Sequence, residues 1–374
     1  MKKAQHDAVA AWLWLSLALA IFSSCRVGGD QVSQASPFLF VDVTEESRLV
    51  SRFGSDFYAW ADISQDSFPD LFATRHRVAP LLSLNRDGKA FQDVFSETGM
   101  KHDLREPPET SLYLDKHGCA WGDYDNDGKL ELYIANGAKQ GKGFEYNQLY
   151  KTEGPPWRDM AETAGVRDPY GRGRNAAWAD INNDGALDLY VQNDRKNAFY
   201  QNKGMLRFQN IRRLVSKKDT WLRAQGDRVS SVDYDNDGDQ DLFIAQGYSP
   251  DQAPERFYNA LSLFRNESHL NNWLKIRLIG TQTNREGIGA KIFLRARGGV
   301  QFREANHGPS GYAQDALPVH FGLGSASRAD EIEIRWPSGI RQIVEDVPAR
   351  QTWIIREPPV GTSNPEQREG RTGS

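Results

Sequence analysis

Acidic loops recur in this chain in a fixed register. Asp233-Tyr234-Asp235-Asn236-Asp237-Gly238-Asp239-Gln240-Asp241 places side-chain oxygens at loop positions 1, 3, 5 and 9 and a glycine at position 6. The pattern returns at Asp123, Asp125, Asp127, Gly128 and Glu131, and again at Asp180, Asn182, Asp184, Gly185 and Asp188. A degenerate copy at Asp62, Ser64, Asp66 and Asp70 carries Ser67 where the glycine should be. Carboxylates this close repel one another. A hard divalent cation neutralises them by taking several oxygen ligands from one small loop, while the glycine allows the sharp turn. The competing account is a plain acidic turn, because Asp, Asn and Gly dominate turns on their own. Turn chemistry fixes about two positions, not five in the same register, so the repetition favours ligation.

These loops are not EF-hands, which need a bidentate Glu at position 12 and helices on both sides. Position 12 is Ala73, Ile134, Val191 and Ile244, apolar in each copy. The residues that follow each full loop are β-branched and aromatic, as in Leu242-Phe243-Ile244, and predict a strand. Short strands also precede the loops, for example Cys119-Ala120-Trp121-Gly122 and Ala176-Ala177-Trp178-Ala179. The first loop positions, Asp62, Asp123, Asp180 and Asp233, are 61, 57 and 53 residues apart. A further shared element follows, as in Asn147-Gln148-Leu149-Tyr150 and Leu261-Ser262-Leu263-Phe264, and then a closing strand such as Phe91-Gln92-Asp93-Val94. Four short strands in about 55 residues make one blade of a β-propeller. The expected fold is therefore all-β, with about four blades over residues 37–270. Phe38-Leu39-Phe40-Val41-Asp42-Val43-Thr44 matches the closing strand but comes first, so it is expected to complete the last blade and leave no open sheet edge.

The Trp-Ala-Asp-x-Asn-x-Asp-Gly-x-x-Asp-Leu units resemble the FG-GAP (VCBS) calcium-binding repeats of integrin α-chain-type propellers. The resemblance implies Ca²⁺ held by the side chains at positions 1, 3, 5 and 9 and the carbonyl at position 7. One set would be Asp123, Asp125, Asp127 and Glu131 with the Lys129 carbonyl. The others would be Asp180, Asn182, Asp184 and Asp188 with Ala186, and Asp233, Asp235, Asp237 and Asp241 with Asp239. Glu131 is one methylene longer than the family's Asp, which implies a looser site. The Asp62 loop, with Ser64 and no glycine, implies weak binding or none.

From Asn271 the loops stop and a period of two sets in, as in Trp273-Leu274-Lys275-Ile276-Arg277-Leu278. Further alternating runs lie at 290–294, 319–321, 331–336, 341–344 and 352–355, and about seven short strands are expected over the whole region, a small antiparallel sandwich or barrel over 271–357. Asn284-Arg285-Glu286-Gly287-Ile288-Gly289-Ala290, Gly308-Pro309-Ser310-Gly311-Tyr312, His320-Phe321-Gly322-Leu323-Gly324 and Trp336-Pro337-Ser338-Gly339 resemble the ordered landmarks of the ASPIC/UnbV domain. FG-GAP repeats followed by this domain is the layout of cartilage-acidic-protein-like chains, a resemblance that brings a fold and a metal but no reaction. Residues 358–374, rich in Pro, Gly, Ser and Glu, read as a disordered tail.

At the start, Lys2 and Lys3 precede an apolar run from about Ala8 to Phe22, the layout of a secretory signal over 1–25. Phe22-Ser23-Ser24-Cys25 resembles a bacterial lipobox, which would make Cys25 the lipidated residue and a membrane anchor; a soluble secreted chain is the alternative. Residues 26–36 read as a linker. The only other cysteine is Cys119, so no disulfide framework is expected. The net charge of -4 is too small to imply a nucleic-acid partner. No catalytic set stands out. Ser310, Asp315, His307 and His320 lack a nucleophile elbow, and no phosphate-cradling glycine loop, His-Glu-x-x-His or Cys-x-x-Cys occurs. His320, inside an alternating strand, reads as structural, and Trp60, Trp121 and Trp178 read as inter-blade core. The favoured reading is an exported calcium-binding module for a protein or glycan at the cell surface. An enzyme or accessory factor using the propeller face or interdomain cleft, and an envelope scaffold, are the alternatives.

Overall fold

The computed structural model describes residues 41–49, 57–74, 79–100, 115–137, 146–194, 196–211, 228–245, 261–306 and 318–359. Cys25, the apolar leader, the linker, His307, Ser310, Asp315 and residues 360–374 lie outside these. Among the described residues no helix is long and apolar enough to cross a membrane.

The protein is all-β, and each acidic loop joins the first and second strands of an antiparallel meander. The first meander contains β1 (Phe57–Ala61), β2 (Asp70–Thr74), β3 (Leu81–Arg86) and β4 (Ala90–Asp93). The second is β5 (Lys116–Gly122), β6 (Glu131–Asn136), β7 (Gln148–Lys151) and β8 (Arg158–Asp159). The third is β9 (Gly173–Ala179), β10 (Asp188–Asn193), β11 (Ala198–Asn202) and β12 (Phe208–Asn210). In the fourth, β13 (Arg228–Val232), β14 (Asp241–Ala245) and β15 (Leu261–Phe264) pair in order. The first strands pack side by side in the order β1, β5, β9, β13, which is how propeller blades stack around an axis.

The aromatic and small residues that flank each loop alternate between facing sheets. Trp121 meets Phe72 of the first meander edge-on, with centroids 6.3 Å apart. Trp178 stacks on Tyr124 of the second at 6.0 Å. Both indoles are buried in the inter-blade core, as the repeat spacing predicts, whereas Trp60 is partly exposed and sits edge-on to Phe91. Cys119 is fully buried there, which pushes its thiol far above the usual range.

The expected closing strand at Phe38–Thr44 is corrected where it can be seen. Residues 41–43 carry no strand and a turn begins at Thr44, held by Arg48 N–H to Glu45 O and Leu49 N–H to Thr44 O. Phe91 N–H bonds Ser47 O at 2.7 Å, which ties this segment to the first meander rather than the last. The Ser47 hydroxyl donates to Thr44 O at 3.1 Å, a local bond of the kind that favours a turn over a strand.

Among its described residues the C-terminal part has seven strands: six fall on the alternating runs, and the seventh, at 299–304, was not read from the sequence. β16 (Asn272–Ile279) lies between β19 (Val319–Gly324) and β22 (Gln351–Arg356). β17 (Lys291–Ala296), β18 (Gly299–Glu304), β20 (Arg328–Arg335) and β21 (Arg341–Pro348) form the second sheet. Leu274, Ile276, Ile292, Leu294, Phe321, Ile332, Ile334 and Trp336 fill the space between them. The purely antiparallel expectation needs one correction: β16 and β22 pair in parallel. Alternation fixes which face a strand buries, not its direction. Glu357, just beyond β22, is buried and accepts Thr281, Gln282 and Thr283 N–H at 2.8–2.9 Å, which with the Ser338 hydroxyl holds its carboxyl down near 2, the one opposing influence being burial.

Candidate metal-binding loops

Each loop is drawn tight by its first aspartate. Asp123 Oδ1 and Oδ2 accept Asp127 and Gly128 N–H at 3.0 Å each, and Asp180 accepts Asp184 and Gly185 N–H at 3.0 and 2.7 Å. Asp233 Oδ2 accepts Gly238 N–H at 2.9 Å. The degenerate loop keeps the same frame, with Asp62 accepting Asp66 and Ser67 N–H; Ser67 adopts a φ of 77° to do so. At position 7, Lys129, Ala186 and Asp239 each donate a backbone N–H to the position 5 carboxylate at 2.9 Å. At position 9, Asp188 and Asp241 each accept two backbone N–H groups, from Ile181 and Asn202 and from Tyr234 and Asn266.

Burial opposes charge on these acids. It pushes Asp180 up to about 7 with help from Asp184, and Asp188 to about 8 against the bond from Asn202. Asp123 rises to about 7, Asp241 to about 6 and Glu131 to about 9, burial leading in each case. Asp233, Asp235 and Asp241 each offer an oxygen, all within 4.8 Å of one another, and Asp233 Oδ1 is buried with no hydrogen-bond partner. A cation supplies what such an oxygen lacks, so this donor set fits a hard divalent ion. Asp239, expected to act through its carbonyl, also turns its side chain inward, accepting from Asn183 Nδ2 at 2.7 Å and pairing with His269 Nδ1 at 2.8 Å.

Two features went unread in the sequence. The first is position 4, which is Gln65, Asn126, Asn183 and Asn236, each at a φ near 60°. Gln65 Nε2 donates to Gly128 O at 3.0 Å, Asn126 Nδ2 to Gly185 O at 3.1 Å and Asn183 Nδ2 to Gly238 O at 3.2 Å. Each of the first three loops is thus latched to the next. The recurring carboxamide was the visible signal, since Asn tolerates the left-handed conformation and bonds locally.

The second is that the C-terminal domain covers the loops and brings cations to their first aspartates. Lys291 Nζ lies 2.6 Å from Asp62 Oδ2, and Lys275 Nζ lies 2.6 Å from Asp233 Oδ2 and 3.1 Å from Asn236 Oδ1. Arg303, stacked over Phe321, lies near enough to Asp123 and Asp180 to lower both; burial in turn pulls its own value down. His320 points Nε2 at Gly238 O, 3.2 Å away, and burial drops it to about 3, which makes it a structural neutral imidazole. A cavity of about 140 Å³ remains at this seam, lined in part by Trp121, Trp178, Asp123, Asp180, Arg303 and His320. The signal for the covering was a lysine, Lys275, between Leu274 and Ile276; it is buried like its apolar neighbours, whereas Arg277, two residues on, is exposed.

Close backbone approach makes the seam intolerant of side chains. A Cβ on Gly322 would lie 2.0 Å from Asp180 Oδ2 and 2.5 Å from the Asn183 backbone, and one on Gly238 would lie 1.8 Å from the Trp273 ring. Gly322→Ala is expected to cost at least about 2 kcal/mol in chemical denaturation, in the range of overpacked interiors. An unchanged midpoint would show that the seam opens without cost.

Profile comparison agrees with this geometry. Residues 123–191 and 180–244 match the FG-GAP-like repeat, and residues 280–361 match ASPIC and UnbV. The chain therefore carries FG-GAP-like repeats followed by an ASPIC and UnbV domain. It is similar to cartilage acidic protein 1 of Homo sapiens, 26% identical over 345 residues, covering 87% of this chain and 48% of the human one. The Xenopus tropicalis protein of the same name is 25% identical over 312 residues, covering 80% and 44%. The chain spans about half the length of the curated relatives it matches. A solved structure of the Photorhabdus luminescens Tc holotoxin pore aligns over 76% of this chain and 12% of its own, with 13% identity and a TM-score of 0.29. The repeat and domain composition is that of a binding or adhesion-type module.

Proposed function

We propose that this chain is an exported, calcium-stabilised module that binds a protein or glycan at the cell surface, its calcium structural rather than catalytic. The observation that carries the metal is the buried, partnerless Asp233 Oδ1 beside Asp235 and Asp241. Calcium there fixes a strand-to-strand turn, and its binding free energy adds to folding. Outside the cytoplasm calcium is plentiful enough for loops of modest affinity; the apolar leader supplies the export route and a lipidated Cys25 the membrane anchor.

Because the C-terminal domain covers the loop end of the meanders, the ligand face is the opposite end. Gln148 pairs with Ile134 and Gly173 with Asn193, so Tyr146 and Tyr170 come just before strands that start at that end. Both tyrosines are exposed, and the Arg167 guanidinium sits 5.3 Å from the Tyr146 ring. Exposed aromatics with a polar tip suit glycan rings and protein surfaces alike. Capture of cell-surface glycans or proteins by the intact chain should weaken in Tyr170→Ser and Tyr146→Ser variants that keep the wild-type melting temperature. Equal capture by the variants would remove this face from the reading.

A further inference from the structure

The second meander departs from the others at three places, and the departures meet at one point. Lys151 ends β7, one residue past Tyr150, which pairs with Leu132. Leu132 follows the loop as Leu71, Leu189 and Leu242 do, and the same register puts Leu84, Gln201 and Arg265 at the place of Lys151. Leu84 and Gln201 bring no charge, and Arg265 is turned outward to Glu267, no nearer than 4.0 Å to Asp235. Lys151 instead turns in. Its Nζ lies 2.5 Å from Asp125 Oδ2, 2.7 Å from Asp127 Oδ2 and 3.5 Å from Glu131 Oε1. Those are loop positions 3, 5 and 9, the side chains on which a bound ion would have to draw.

The other two departures fit the lysine. At position 9, Asp70, Asp188 and Asp241 give one oxygen to the N–H of Asn85, Asn202 and Asn266, at 2.7–2.8 Å. Each of those asparagines also donates its amide to the carbonyl of the loop's position 8: Pro69, Leu187 and Gln240. The second meander has Thr152 in that place, and its hydroxyl takes the Leu130 carbonyl at 2.8 Å. Its acid is Glu131, one methylene longer, whose Oε2 accepts Tyr124 N–H while Oε1, buried and accepting no hydrogen bond, faces the ammonium.

We infer that the Asp123 loop is closed by its own Lys151 and takes no divalent ion in the native chain. On this inference the extra methylene of Glu131 serves a tethered ammonium, in place of the looser calcium site that the resemblance implies, although Asp123, Asp125 and Asp127 also bring oxygens within 4.8 Å of one another. An ammonium donates three hydrogen bonds at N···O distances near 2.8 Å and does not chelate. A Ca²⁺ ion needs the same oxygens at about 2.3–2.6 Å, and like charge keeps the two from sharing them.

This inference rests on reading the Asp180 and Asp233 loops as calcium sites, and the test separates the two. Calcium stoichiometry is measured by titration calorimetry on the full chain, on Lys151→Gln and on Asp125→Asn. Lys151→Gln gives the second loop the neutral neighbour that Gln201 provides in the third, and is expected to bind one more ion per chain. Asp125→Asn is expected to leave the stoichiometry at the wild-type value. Equal binding by Lys151→Gln and wild type would overturn the inference while any ions bound would still support the other loops. A loss of one ion in Asp125→Asn would overturn it equally. If wild type binds none and Lys151→Gln binds one, the lysine assignment stands and the calcium reading of the other loops falls; if neither binds, both fall. A Lys151→Gln chain that cannot fold even in calcium also counts against it, since the ion is expected to replace the ammonium.

Discussion

Removing divalent cations is expected to lower the melting temperature at pH 8, and calcium alone to restore it. A site at a hundred times its dissociation constant adds about 2.7 kcal/mol. At about 2–4 °C per kcal/mol for domains near this size, one saturated loop shifts the midpoint by several degrees and two by about twice that. The pH dependence follows from the buried acids. Asp180, Asp188 and Asp241 are raised to about 7, 8 and 6, above the ordinary value of 3.8. For an acid raised on folding, the unfolded state binds fewer protons than the folded one over the window between the two values. Its contribution to stability is complete below about 4 and is lost as pH climbs to the folded value. The metal-free chain should therefore lose stability from about pH 4 to pH 8, while calcium, which needs the carboxylates ionised, gains affinity over the same range. Calorimetric melts with calcium and with chelator should diverge at pH 8 and converge near pH 5. A gap as wide at pH 5 as at pH 8, or none at either, would remove calcium from the account.

Much of this was legible in the chain before its folding was seen, and the reason is repetition. Five loop positions held in register, an apolar position 12 and a Trp two residues ahead of two full loops were enough to place strands on both sides of Asp123 and Asp180. Alternation in 273–278 and 331–336 was enough to place β16 and β20, because a strand buried on one face declares itself by its period. What could not be read was anything that depends on a partner distant in sequence. Lys291 looks like an ordinary charged residue at the start of a strand until Asp62 is found 2.6 Å away. Lys151 sits 20 residues past Glu131 and reads as a solvated lysine until β7 returns it to the loop. The turn at Thr44 was misread as a strand because its apolar flank, Phe38-Leu39-Phe40, imitates the closing element.

The same dependence on distant partners gives the sharpest separation of metal from protein charge. Lys291→Met and Lys275→Met each remove the ammonium from a buried pair, and losing one partner of such a pair costs about 3–5 kcal/mol because the carboxylate is left alone. Without calcium the two variants should melt about 10 °C or more below wild type, by roughly equal amounts. With calcium they should part. Asp233 keeps Oδ1 free of hydrogen bonds while Lys275 holds Oδ2, and an ion on Asp233, Asp235 and Asp241 would partly neutralise the carboxylate that Lys275→Met strands. Asp62 has no such recourse, because Ser64 and Ser67 replace the carboxylate and glycine of a full loop and both of its oxygens already accept backbone N–H groups. Calcium should therefore recover a large part of the loss in Lys275→Met and little in Lys291→Met. Equal recovery would mean that the degenerate loop binds calcium after all; recovery in neither would mean that the lysines, not the ions, are the counter-charges on which these loops fold.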